Sequence, residues 1–341
     1  MTGPDIQVYG SVFHTASEVN LVVGFADGLI IADNTFLNDH GYNGVHGQNI
    51  IVESNTASSQ AGPGTNGNDF ISIQRPICAW CQSMILQNVY IGYNNIENVG
   101  REAAEVISND GGGGAYFGPV ATSTVDTVTL ANDPSWIWTG NSYPQTMNVA
   151  IVAGTGVGQY SMLKGWIGRT LNLEKPWDVL PDSTSIVVVA ATQRSLIIAH
   201  NSIANTLGMS ISMGGTFDTA IEDNLLENSG DGIRVSDASD YGGPEAYPAA
   251  LNTVVLRNRM SKGGGDFIGR SQHYSGGVGI WDGQASLVSG LVIRDNYVDV
   301  PQTIYSCNGT AGISATLIEK NTAKWVGGQI PGFLVQNNTA P

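Results

Sequence analysis

One asparagine recurs along the chain in the same setting, with aliphatic or β-branched residues before it and another apolar residue soon after. It stands in IIADNTF (Asn34), IVESNTA (Asn55), IGYNNIEN (Asn95), IIAHNSI (Asn201), IEDNLLEN (Asn224), VLRNRM (Asn258), VIRDNYV (Asn296) and LIEKNTA (Asn321). The steps are 21, 40, 106, 23, 34, 38 and 25 residues. A minimal period a little over twenty, lengthened where loops swell, marks a repeat in which each coil stacks on the last. Asparagine suits such a turn because its amide can bond the coil above and because it tolerates a left-handed backbone. The expected fold is all-β: a right-handed parallel β-helix.

The composition agrees with a turn-rich solenoid. Of 341 residues 44 are glycine, 42% are hydrophobic and only 13% are charged, which disfavours long surface helices. The net charge of −15 makes nucleic acid and anionic membrane surfaces poor partners, since phosphate binding needs clustered Lys and Arg. No stretch is long and apolar enough to span a membrane, and Met1-Thr2-Gly3-Pro4 is not a signal peptide. Because strand-like sequence begins within five residues and a first coil needs covering, an upstream cap or leader, or a partner at this end, is expected.

Each coil reads as strand, asparagine turn, strand, polar corner and third strand. The third strands align as GYNGVHG, GNDFISIQ, GREAAEVIS, LGMSISMG, GDGIRVSD and GGVGIWDG. Alternation sends Val45, Ile71, Ile73, Val106, Met209, Ile211, Ile233, Val235, Val278 and Ile280 into the core. It sends His46, Ser72, Glu105, Ser210, Arg234 and Trp281 toward solvent, with a corner column of Asp69, Glu102 or Arg101, and Asp231 beside them. A one-residue slip in GREAAEV would exchange the two sides there.

The long step between Asn95 and Asn201 holds different sequence. GGGGAYFGPVATSTVDTVTLAND alternates in short strands, PSWIWTGNSYP is turn-rich, and QYSMLKGWIGRTLNLEKPWDVLPDSTSIVVVA returns through more strands. The expected organisation is N-terminal coils over 1–110, an inserted antiparallel β subdomain over 111–190, and C-terminal coils over 191–341. Trp136, Trp138, Tyr143, Trp166 and Trp177 crowd the insertion, as a small core or as a platform for sugar rings. Two later loops, 236–252 and 261–277, swell on the side that follows the third strand.

A flat strand face walled by such loops suits an extended polysaccharide. Hydrolysis of a glycosidic bond needs two carboxyl groups, about 5 Å apart for retention or about 6.5 to 9.5 Å for inversion. Glu105 and Asp231 are the expected acid/base pair, with Glu102 and Asp110 as alternates; Asp110 and Asp231 also suit the capping of glycine turns. Substrate-positioning groups are His46 and Arg234, with Trp281, Trp136, Trp138 and Tyr274 as sugar contacts. Elimination on a uronic acid would instead draw on His46, Arg234, Arg101, His273 and Tyr274. Acids outnumber bases in the expected groove, which favours hydrolysis.

No cofactor is required by this chemistry, no metal ligand set stands out, and a groove cation such as calcium is left open, as is oligomerisation. GGGG at 111–114 lacks the Lys-Ser/Thr of a P-loop. Cys78 and Cys81 form CAWC without a second ligand pair or a thioredoxin-like context, and Cys307 lies far away, so a local disulfide or plain thiols are expected.

With the asparagine coils over 20–110 and 190–340 and the inserted LNLEKPWDVLPDSTSIVVV, the chain resembles the right-handed parallel β-helix proteins that include pectate lyases, polygalacturonases, alginate epimerases and phage tailspike depolymerases. The inserted segment is similar to insertions in secreted β-helix proteins. The resemblance implies a secreted or cell-surface protein acting on a polysaccharide or oligosaccharide; a non-catalytic carbohydrate-binding or structural solenoid is the alternative. The polygalacturonase aspartate signature, the lyase arginine motifs and the DPHE-type epimerase segment are absent, so no family's catalytic residues carry over.

Overall fold

The computed structural model describes residues 2–14, 19–37, 42–58, 70–73, 87–99, 105–109, 114–134, 147–236, 249–262, 277–281, 287–300, 304–307, 313–324, 326 and 333–341. Among them, 25 strands form one parallel hydrogen-bonded network and six more close into an antiparallel barrel. No helix occurs among the described residues.

The coils have three faces. On the first, nine successive parallel pairings, from Ile6 with Leu29 to Leu317 with Leu334, make ten rungs. The second face carries short strands such as Thr56–Ser58 and Asn95–Glu97, and the third carries Ile71–Ile73, Glu105–Asn109 and their successors. Inside, aliphatic residues from all three faces stack into one continuous core.

The asparagine ladder joins the first face to the second. Asn258 is typical: its Oδ1 accepts from the backbone N–H and Nδ2 of Asn224, both at 3.0 Å. Its Nδ2 in turn donates to the carbonyl of Ile221 and to Oδ1 of Asn296. Each buried amide thus satisfies a neighbour's backbone as well as its own side chain, which is why no other residue type substitutes.

Two details correct the expectation. The third rung is Asn94, not Asn95, and Asn338 extends the ladder beyond Asn321. Moreover, the left-handed residue is the one before each asparagine: Asp33, Ser54, Tyr93, His200, Asp223, Arg257, Asp295, Lys320 and Asn337 all have φ near +55°. In YNN the ladder phase is set by the geometry of that preceding turn, and Asn95, one residue later, opens the second-face strand.

The third-face core residues named above are all buried. Register differs in one coil: Ile107, not Val106, pairs with Ile71 and Ile211, and Glu105 falls in line with Met209 and Asp231. The corner column therefore holds Glu105 with Asp231. The outward neighbours are also not solvent-facing as expected, since His46, Ser72 and Ser210 are buried and Glu105 and Arg234 are part-buried.

The insertion leaves after Asn109 and returns at Gln193. It adds no coil, because Gln87–Gly92 pairs directly with Arg194–Ala199. Its strands Gly114–Ser123, Thr127–Leu130, Thr170–Leu173, Tyr160–Ile167, Asn148–Ala153 and Ile186–Ala190 follow one another around the barrel wall in that order. The last strand, IVVVA, is apolar on both sides for a reason. Val187 and Val189 fill the barrel with Val128, Leu163 and Leu171, whereas Val188 and Ala190 pack outward with Phe217, Leu251 and Leu287 of the solenoid. Trp177 belongs to the barrel core and Trp166 packs against it, which is the small-core alternative for these two tryptophans.

Candidate functional site

The described part of the third face does not form an open floor. Its outward column runs Gly44, Ser72, Ser108, Ser212, Arg234 and Gly279, and the three serines are buried. Ser108 and Ser72 share a hydroxyl hydrogen bond of 3.3 Å. At the top of this column the Arg234 guanidinium reaches across two rungs to Glu105, with Nη2 3.4 Å from Oε1 and each side chain 18% exposed. The sequence-predicted groups Glu105 and Arg234 are therefore brought together, as an ion pair. The backbone also sets Asp231 two rungs from Glu105 in one column, a separation of about 9.6 Å.

His46 is buried at the end of another third-face strand. Trp281 lies on the rung after Ser236. Glu102, Asp110, Trp136, Trp138 and Tyr274 lie outside the described residues, as do Arg101, His273, Tyr143, Asp69, Cys78 and Cys81.

Among the described residues an open groove lies on the first face, and the residues that form it were not singled out from the sequence. It encloses about 710 Å³. Its floor is an outward column of Ile51, Tyr90, Ile197, Ala220 and Val254, stacked on consecutive rungs. The column continues to Ile30 on one side and to Val292, Leu317 and Leu334 on the other. Ile197 is 44% exposed, so the floor is apolar surface in contact with water.

Along one edge runs a corner of Asn49, Asn88, Ser195, Asp218 and Asn252, all left-handed. Their side chains chain together: Asn88 donates to Asn49 at 3.0 Å, Asn49 to Asp27 at 2.8 Å, and Asn252 to Asp218 at 3.0 Å. Next to this corner Arg194 donates through Nε to Gln87, Gln87 to Gln48, and Gln48 to Asp27. The barrel joins here, where the Tyr160 hydroxyl donates to Asp218 at 2.5 Å and its ring lies 4.4 Å from that of Phe217. Burial first, and then the bond to Asp218, hold the Tyr160 phenol protonated far above the usual tyrosine range.

The opposite edge is the left-handed corner that precedes the asparagine ladder. A second outward column reads Glu53, Gly92, Ala199 and Glu222, so two carboxylates bracket two small residues. The Tyr90 ring folds over Gly92: a Cβ there would sit 2.2 Å from the Tyr90 hydroxyl oxygen. Burial, then Tyr93 and then Glu53, push the Tyr90 phenol upward. Tyr93, 58% exposed, stacks on His200 at 4.7 Å and 17°. One rung further Asp223 is gripped by Arg257, with Nε 2.8 Å from Oδ1 and Nη2 2.7 Å from Oδ2, and Nη2 also lies 3.0 Å from Glu222. That grip holds the Asp223 carboxyl below its ordinary value.

A signal for this groove was present in the sequence. First-face strands such as LIIA, IIVE and LIIA carry apolar residues at outward as well as inward positions. No group of three potential metal ligands occurs among the described residues.

Among solved structures the chain is similar to two tailspikes. With the tailspike protein gp49 from Pseudomonas phage LKA1 it shares 9% identity at a TM-score of 0.28, over 86% of this chain and 48% of that one. With the tailspike gp61 from Pseudomonas phage phi297 the identity is 9% and the TM-score 0.34, over 94% and 50%. The chain thus spans about half the length of these proteins. No protein-family profile matches it, and no curated protein does.

Proposed function

We propose that this protein binds an extended polysaccharide along the first face of its solenoid. The observation that carries this reading is the groove itself. A stripe of outward apolar side chains, part-buried except for the exposed Ile197, one per rung at a spacing of about 4.8 Å, runs between two corners dense in amides, hydroxyls and carboxylates. A sugar chain has the matching chemistry, with apolar ring faces for the floor and hydroxyls for the edges. The stacked Tyr93 and His200 add an aromatic ledge at one edge, and the barrel stands at the other.

Cleavage is the second reading. It rests on Glu105 and Asp231, whose backbone column spacing of about 9.6 Å lies just beyond the range of about 6.5 to 9.5 Å between carboxyl groups that inversion uses, so the side chains must lean toward each other. In this reading Arg234 positions the Glu105 carboxylate, and hydrolysis is favoured over elimination because acids outnumber bases around it.

One experiment separates these readings. The purified protein is incubated with a panel of neutral and uronic-acid polysaccharides, recording binding, new reducing ends and the absorbance of unsaturated products. Binding that Ile197→Asp abolishes, without product, supports the carbohydrate-binding solenoid. Reducing ends that form without the absorbance of unsaturated products and fall at least about a hundredfold in Glu105→Gln support hydrolysis. Binding untouched by Ile197→Asp removes the groove reading.

A further inference from the structure

The charges around the first-face groove constrain which polysaccharide it can accept, given the binding role proposed above. Five carboxylates stand on or beside its edges: Asp27 and Asp218 on the barrel side, Glu53, Glu222 and Asp223 on the ladder side. Two guanidiniums face them: one is neutralised by two carboxylates, and the other donates to a neutral amide and makes no ion pair among the described residues, so the carboxylates remain in excess. Arg257 is held by Asp223 and Glu222, and Arg194 donates through Nε to the Gln87–Gln48–Asp27 relay. Glu53 makes no ion pair among the described residues. A chain of uronic acids would set a negative charge on every sugar against this acidic frame, in a protein whose net charge is already −15.

The ledge adds position to this selectivity. Tyr93 and His200 occupy left-handed backbone, with φ of 56° and 59°, in a column that elsewhere holds mostly Asp, Asn or Ser. Such a turn tolerates histidine but rarely takes tyrosine, so the turn itself does not call for Tyr93. The two rings stack on each other with an exposed face, beside the small Gly92 and Ala199, and midway between Glu53 and Glu222, which are three rungs or about 14 Å apart. That span accommodates one or two sugar rings with a carboxylate at each end to accept hydroxyl hydrogens.

We infer that the groove selects a neutral polysaccharide over a polyuronate, and that the Tyr93–His200 ledge between Glu53 and Glu222 is the subsite that seats the sugar ring. The probes are a neutral glucan or mannan and a polyuronate, titrated at low and high salt against the full chain and three variants. Tyr93→Asn and His200→Asn keep a side chain that tolerates the left-handed turn, so they remove the ledge without attacking the fold.

The expected result is binding of a neutral chain at least about tenfold tighter than the polyuronate at low salt, with the gap narrowing as salt rises. Tyr93→Asn weakens the neutral chain by about tenfold at an unchanged unfolding midpoint. The double variant Glu53→Gln, Glu222→Gln improves polyuronate binding. Equal or tighter binding of the polyuronate overturns the selectivity, and full affinity in both ledge variants overturns the subsite, while each leaves the groove reading standing. Failure of both polymers to bind overturns the groove reading and this inference with it.

Discussion

The solenoid and the barrel inserted in it solve the problem of sheet edges in opposite ways. The barrel closes on itself, so its six strands leave no edge and its core is complete within 114–190. The solenoid never closes. Each rung is an edge until the next one covers it, and its buried corner is made safe by one amide per coil. Order in the barrel is therefore collective, whereas order in the solenoid is handed from neighbour to neighbour. The two meet over Phe217, Leu251 and Leu287, which makes that contact the place where the comparison can be tested.

The largest expected effect is at the junction. Phe217 is fully buried between the two units, and Phe217→Ala should cost about 3 to 5 kcal/mol. If the barrel is self-sufficient, calorimetry of this variant will show its transition separating from that of the solenoid. A single transition that merely moves down would mean that the barrel depends on its docking surface.

Next comes the ladder. Asn258→Ala removes four hydrogen bonds and takes their partner from the buried Asn224 backbone N–H and the Ile221 carbonyl, while the Asn224 Nδ2 keeps only its bond to Ile198, so about 3 kcal/mol is expected from chemical denaturation. Asn338 sits at the part-buried end of the same ladder, and Asn338→Ala should cost about 1 kcal/mol. Equal costs at the two positions would contradict rung-to-rung transmission.

A smaller effect sharpens the junction electrostatically. The folded state raises the Tyr160 phenol, so the stability its bond to Asp218 brings is fully present below the unfolded tyrosine value of about 10 and is lost as pH rises from there through the higher folded value. Stability should fall steeply on the alkaline side, and Tyr160→Phe should lose about 1 kcal/mol at neutral pH while flattening that limb. The smallest effect is on the acid side. Asp223 is lowered by its bond to Arg257, so its contribution is present above the unfolded value of about 3.9 and disappears as pH falls through the lower folded value. Its partial exposure limits Asp223→Asn to a few tenths of a kcal/mol, visible as a shallower acid limb.

Legibility followed the same division. The ladder could be read because one physical demand, an amide that serves two backbones, recurs in every coil. It slipped at YNN, where two adjacent asparagines offered the same chemistry and the turn chose Asn94, and it stopped one rung short of Asn338. The third-face core was readable from alternation, yet GREAAEV slipped by one residue because Val106 and Ile107 are both apolar and both buried. Alternation within 111–190 indicated antiparallel strands, but nothing local in IVVVA distinguishes a strand buried on two sides by closure and docking from one buried between sheets. The site was least readable. Glu105 and Arg234 meet, but they sit apart from the first-face groove, and Tyr93, His200, Glu53 and Glu222 come together only through stacking of coils.

The amino-acid sequence by itself determined the repeat, the inward residues of the third-face strands outside GREAAEV and the presence of a β insertion, because these follow from local periodicity and turn chemistry. Only the tertiary structure decided which outward column forms the groove and which charges surround it. Neighbours across a rung are 17 to 107 residues apart in the chain, and their juxtaposition depends on the register of every intervening coil.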